Sequence, residues 1–195
     1  VVFPSLKNAN ENKIDEFIHF GENIINATMP ILMLSYYPIL IAVSVIISKY
    51  LMSMKFVPVI LPMILFQSKI NILYANAYKV KRKERELVKR GGIGLGANIF
   101  LVSVFYLSTK SLMMVALAST LSYFIWYYSL RKGIGEKFSV QDVIMILFIV
   151  VIAVVEIYCS IGIGLLISIF VSVIYIILNK KIYINTIKVA RRITK

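Results

Sequence analysis

Residues 143–178 read VIMILFIVVIAVVEIYC, a serine, then IGIGLLISIFVSVIYIIL, and they carry one charge, Glu156. Both runs, Val143–Cys159 and Ile161–Leu178, fall in the length range of a membrane-crossing helix, given about 1.5 Å rise per residue and a hydrocarbon layer of about 30 Å. The single serine between them leaves room only for a tight reversal. This stretch decides the fold: two antiparallel spans, not a pair of strands in a soluble sheet.

The rest of the chain agrees. Of its 195 residues 59% are hydrophobic, and the mean hydropathy is +0.84. A soluble domain of this size has no core large enough to hide that much apolar surface. Four more apolar runs precede the pair, at Ile24–Ile47, Phe56–Tyr78, Ile93–Ser108 and Ser111–Tyr128. The expected architecture is all-α and polytopic, with six transmembrane helices over 24–178, an interfacial segment over 1–23 and a basic tail over 179–195. Pro30 and Pro38 in the first span, and Pro58 and Pro62 in the second, are expected to tilt or bend those helices. The opening VVFPSLKNANENK lacks an initiator Met, as expected of a piece of a longer chain.

Between the second and third spans lies KVKRKERELVKR, Lys79–Arg90, with seven basic residues in twelve. Six spans place this tract, both termini and the 129–142 connection on one side. That side holds eighteen basic residues against three on the other (Lys49, Lys55 and Lys110). The asymmetry predicts that the tract is a loop in the cytoplasm, along with both ends, and the multi-pass protein is expected in the plasma membrane. The tract is expected to meet anionic headgroups. It has none of the surroundings of a nucleic-acid reader, so no nucleic-acid partner is read from it. Ile14–Phe20 is expected to lie as an interfacial helix with His19 solvated. The tail, with Ile184, Ile187, Ala190 and Arg191 at helical intervals, is expected to lie as a basic amphipathic helix on the inner leaflet.

Enzyme signatures are scarce. Gly91, Gly92, Gly94 and Gly96 resemble a phosphate loop in composition only: no strand precedes them and no Lys-Ser/Thr follows, so close helix packing is the better reading. A lone Cys159 and one histidine offer no disulfide and no metal-ligand spacing, and no cofactor is implied. A membrane-embedded glycan polymerase or ligase would need a sizeable outer loop with catalytic residues, and the outer connections here are short.

Charge inside the spans is more informative. Lys69 stands about 3 Å from the middle of the second span, where a buried charge costs about 2.5–3.5 kcal/mol on insertion scales. Regular helical spacing puts Pro62, Lys69 and Asn76 on one stripe and Gln67 opposite. Such a Lys-Asn stripe lining a cavity would suit anionic or sugar-bearing cargo; a register that brings Lys69 nearer the inner face is the alternative. Glu156 lies within a turn of the outer end of its span, where it can snorkel or, alternatively, carry a proton or cation.

Several segments together resemble the polysaccharide-exporter branch of the multidrug/oligosaccharidyl-lipid/polysaccharide flippase superfamily. VVFPSL is similar to that family's opening apolar-Pro segment. The span ending Ser48-Lys49-Tyr50 resembles its Gly/Ser-x-Tyr turn. AYKVKRKERELVKRGGIGLGANIFL resembles its short basic loop and Asn-containing span, with Asn98 at the Asn. KSLMMVALASTLSYF matches at Ala116, Ala118, Thr120 and Ser122, but has Leu112 and Val115 where the family has glycines. The resemblance implies the C-terminal portion of a fourteen-helix, two-lobe transporter whose N-terminal lobe is missing here. It implies a lipid-linked oligosaccharide of the undecaprenyl-diphosphate type as cargo, moved by alternating access and not by catalysis. Lys69, Asn76 and Asn98 would lie on the substrate path, with Glu156 a possible coupling residue; a cation-coupled drug exporter of the same superfamily is the neighbouring alternative.

Overall fold

A computed structural model describes residues 11–184, which are almost entirely helical, with no strand among them. The helices are α1 (Glu11–Leu34), α2 (Tyr36–Ile46), α3 (Val57–Ser68), α4 (Ala75–Val80), α5 (Glu84–Thr109), α6 (Leu112–Ile134), α7 (Val140–Tyr158) and α8 (Ile161–Leu178). A 3₁₀ segment, Ser48–Phe56, leads into α3, and a π-helical turn, Lys69–Tyr74, joins α3 to α4. Counted as continuous rods, these give six helices long and apolar enough to cross a membrane: Ile14–Ile46, Ser48–Val80, α5, α6, α7 and α8. The expected six-span, all-α membrane fold is present, and the last span matches its expected bounds.

The departures have local causes. α1 begins at Glu11, so Ile14–Phe20 is no separate interfacial helix; Ile14 and Ile18 are buried. The break at Ser35 comes three residues before Pro38, whose ring clashes with the carbonyl one turn back and which has no N–H to give it. The Ser35 hydroxyl donates to the Leu32 carbonyl at the break. Pro30, by contrast, sits inside α1 without interrupting it.

The basic tract is not a loop for most of its length. α4 ends in a Schellman turn: Lys83 N–H donates to Tyr78 O at 2.8 Å and Arg82 N–H to Lys79 O at 3.2 Å, with Arg82 at φ 53°. Helix resumes at Glu84, and Glu84 and Glu86 complement the helix dipole in the first turn of α5. α6 likewise runs past its expected end and closes on Gly135, φ 96°, where a residue without Cβ is at ease. α7 starts on a capping box: Ser139 Oγ accepts from Asp142 N–H, and Asp142 Oδ2 accepts from Ser139 N–H at 2.7 Å.

The described residues fall into two compact units. The first contains those up to Ile25 together with Met63–Lys137, and the second Asn26–Pro62 with those from Phe138 onward. Phe66, Ile70, Leu73, Tyr78 and Leu130 are buried in the first, and Met33, Leu40, Met145, Phe148 and Ile152 in the second. α5 packs chiefly on α6, and α7 on α8. At Gly94, α5 comes close to α6: a Cβ there would stand 2.6 Å from Trp126 Cγ. The expectation that the glycine run serves close packing holds for Gly94, whereas Gly91, Gly92 and Gly96 have open space where a Cβ would go. Elsewhere the helices present Ile, Leu, Val and Phe outward, as a lipid-solvated surface does.

In the tail, residues 180–184 are helical, Ile182 is buried and Tyr183 donates to the Ala27 carbonyl at 3.1 Å. Ile187, Ala190 and Arg191, and the VVFPSL segment, lie outside the described residues.

Candidate functional site

The π turn dictates the site in the first unit. A π turn carries one extra residue, so everything beyond it is rotated by about 100° relative to an uninterrupted α-helix. Lys69 opens the turn and is 1% exposed, while Asn76, beyond it, is half-buried and donates to its own helix at Ile72 O, 2.8 Å. The expected Lys69–Asn76 stripe is therefore not formed. Gln67 is exposed, away from Lys69, as expected. The Lys69 ammonium lies 4.8 Å from the centre of the Tyr127 ring, a cation–π contact inside the protein.

Tyr127 links Lys69 to a cluster that the sequence reading did not single out. Glu22 of α1, 6% exposed, accepts at Oε1 from Tyr74 OH (2.7 Å) and Tyr127 OH (2.8 Å). Arg131 Nη2 stands 3.9 Å from Glu22 Oε2, and Arg131 Nε donates to Glu136 Oε2 at 3.0 Å. Arg131 Nη1 also reaches Tyr127 OH at 3.3 Å. Two cations, Lys69 and Arg131, balance two carboxylates, Glu22 and Glu136, in low dielectric, where pairing offsets desolvation only with added hydrogen bonds of this kind. Arg131, expected in the connection between the fourth and fifth spans, is thus helical and buried.

His19 Nε2 lies 3.6 Å from Glu136 Oε1, and ligand atoms of His19, Glu22 and Glu136 fall within 4.8 Å of one another. That spacing would admit a metal ion, but the Arg131 guanidinium already supplies the positive charge between the two carboxylates, and the set reads as an ion-pair network. The exposed His19 side chain agrees with the solvated group expected.

Asn98 has a different setting. Its amide donates to Ser122 Oγ at 2.7 Å, and both residues line a groove of about 330 Å³ with Gly91, Gly94, Tyr123 and Trp126. The buried indole N–H of Trp126 has no acceptor. The structure brings Asn98 together with Ser122 and Trp126 in this groove, while Lys69 lies against Tyr127, whose hydroxyl joins the Glu22 cluster.

The basic tract is partly tied down. Lys81 Nζ donates to Asp15 at 2.9 Å, and Arg90 clamps Glu86 and the Ser129 carbonyl. Lys79, Arg82, Lys83, Arg85 and Lys89 are exposed.

In the second unit Glu156 is 5% exposed and neither carboxylate oxygen has a hydrogen-bond partner. It does not snorkel. Tyr37 OH and Ser168 Oγ hold each other at 3.0 Å, and a Cβ on Gly164 would meet Tyr37 OH at 2.9 Å.

The chain matches no protein-family model, and neither a curated protein nor a solved structure is detectably similar to it.

Proposed function

We propose that the chain is the C-terminal portion of a plasma-membrane flippase for lipid-linked oligosaccharide repeat units, working by alternating access with an N-terminal lobe. Lys69, Asn76 and Asn98 would lie on the path of an undecaprenyl-diphosphate-type cargo, with both ends of the chain cytoplasmic. The observation that carries this reading is the Lys69–Tyr127–Glu22–Arg131 cluster. A scaffold or anchor has no use for ion pairs buried among apolar helices, whereas a transporter of an anionic cargo needs cations that can be uncovered. The π turn supports it, since such turns recur at functional sites and this one opens on Lys69. In this reading the closed cluster is one state of the cycle, and opening it would free Lys69 and Arg131 for diphosphate oxygens.

The test uses surface polysaccharide restored in a bacterial strain lacking its own flippase, with the chain expressed together with its N-terminal lobe. Lys69→Ala should insert normally yet restore far less polysaccharide, Lys69→Arg should keep part of the activity, and Lys69→Glu should keep least. Equal restoration by all variants, normalised to membrane abundance, would rule out a cargo contact at Lys69.

Orientation is checked separately. With Cys159 replaced, a cysteine at Lys83 should be shielded from an impermeant thiol reagent outside intact cells and one at Lys110 labelled; the reverse pattern overturns the cytoplasmic assignment.

A second reading, a cation-coupled exporter of the same superfamily, is favoured by one observation: the buried carboxylate of Glu156 with both oxygens unpartnered.

A further inference from the structure

Glu156 projects from the last turn of α7, just before the turn at Cys159–Ser160 that leads into α8. The buried face of α8 is Gly164, Ser168, Ser172 and Tyr175. The Ser172 hydroxyl, like the Glu156 carboxylate, has no hydrogen-bond partner. From α2, Tyr36 and Tyr37 lie within electrostatic reach of Glu156, and Cys159 adds a thiol at the end of its own helix. No lysine, arginine or histidine occurs anywhere in α2, α7 or α8. An ionised Glu156 would thus lack hydrogen-bond donors and any side-chain countercharge on these three helices, and a lone buried charge of that kind costs several kcal/mol.

Two species could neutralise it, a metal cation or a proton. A metal cation needs several oxygen ligands at once. The available ones are few: the α7 carbonyls up to Val155 are used within the helix, Tyr37 OH and Ser168 Oγ already hold each other, and Glu156 joins no cluster of three His, Cys, Asp or Glu ligands among the described residues. A proton needs no coordination shell. We infer that Glu156 is a proton-exchange site, holding a proton while α2, α7 and α8 are packed as described and releasing it to water when that face opens. One O–H bond forms on a carboxylate oxygen as a water-borne proton arrives, and the same bond breaks on release; nothing else changes. The inference deepens the cation-coupled reading and rests on it for any role in transport, whereas proton occupancy of the carboxyl does not depend on the cargo.

The test is infrared spectroscopy of the full chain in phosphatidylcholine vesicles, across pH, in choline and in sodium buffer. Wild type should show a carboxylic-acid C=O band that is missing in Glu156→Gln, kept in Asp142→Asn and unaffected by sodium. Glu156→Asp, which retains the group, should keep the band with a displaced pH midpoint, guarding against a Gln variant that misfolds. A spectrum unchanged by Glu156→Gln, or a band abolished by sodium at constant pH, overturns the inference. Loss of the transport reading would show instead as no pH-gradient-dependent export alongside an intact, titrating band.

Discussion

Lys69 and Glu156 are both ionisable groups on apolar helices, 1% and 5% exposed, yet their surroundings are opposite. In the first unit Lys69 rests on Tyr127, and that ring's hydroxyl, Tyr74 and Arg131 all converge on Glu22. Charge there is cancelled by charge. In the second unit Glu156 has Tyr36 and Tyr37 within electrostatic reach, and its oxygens are unpartnered. The difference teaches what each region can do without rearranging. A cancelled cluster resists losing its central carboxylate, because two buried hydroxyls and a guanidinium lose an acceptor at once. A lone carboxyl tolerates neutral replacement, because its neutral form is the one its surroundings favour.

The sharpest way to break that comparison is Glu22→Ala. It leaves Arg131 with Glu136 alone and removes the acceptor of two buried hydroxyls, each costing about 1–3 kcal/mol when left unpaired, and should lower unfolding stability by about 2–5 kcal/mol. Unfolding in mixed micelles with rising SDS fraction measures it; a loss below about 1 kcal/mol would mean that the cluster does not hold the first unit together. Next in size is Gly94→Ala, which drives a methyl into the Trp126 side chain and should cost about 1–3 kcal/mol by overpacking. Gly92→Ala on the same helix, with open space at its Cβ, should be neutral or gain up to about 1 kcal/mol. Equal effects at the two glycines would show that α5 does not pack on α6 through Gly94. The smallest expected effect is that of Glu156→Gln, within about 0.5 kcal/mol of wild type in the same assay. A loss matching that of Glu22→Ala would erase the distinction between the two regions.

Most of the fold was legible because apolar run length is a coarse signal that tertiary packing cannot overturn in a membrane. Ile161–Leu178 came out with its bounds intact, while the start of α5 was missed. A tract so rich in lysine reads as solvated loop, yet Glu84 and Glu86 at a helix start, and the Glu86–Arg90 pair one turn apart, are helix signals the charge count obscured. Glu22 also left a trace: Ile14, Ile18, Met29 and Met33 are buried at helical intervals along α1, and Glu22 falls on that stripe. An acid on an apolar stripe has to find partners inside. The π turn left none, for Lys69–Tyr74 contains no glycine or proline, and without it the Lys69–Asn76 register could not be corrected. Long-range partners such as Tyr127 for Lys69 are set by how helices pack, which spacing within one helix does not encode.

The two-residue reversals have a consequence for biogenesis. Lys110–Ser111 joins α5 to α6 and Cys159–Ser160 joins α7 to α8, and each helix finds a principal partner in its immediate neighbour along the chain. Contacts so close in sequence form with little loop-closure entropy. Each hairpin can therefore zip up as soon as its second helix clears the ribosome. Residues such as Glu22, whose partners Tyr74 and Tyr127 arrive 52 and 105 positions later, must wait in the bilayer for theirs. During synthesis, α1 carries an uncovered charge until α6 arrives with Tyr127 and Arg131.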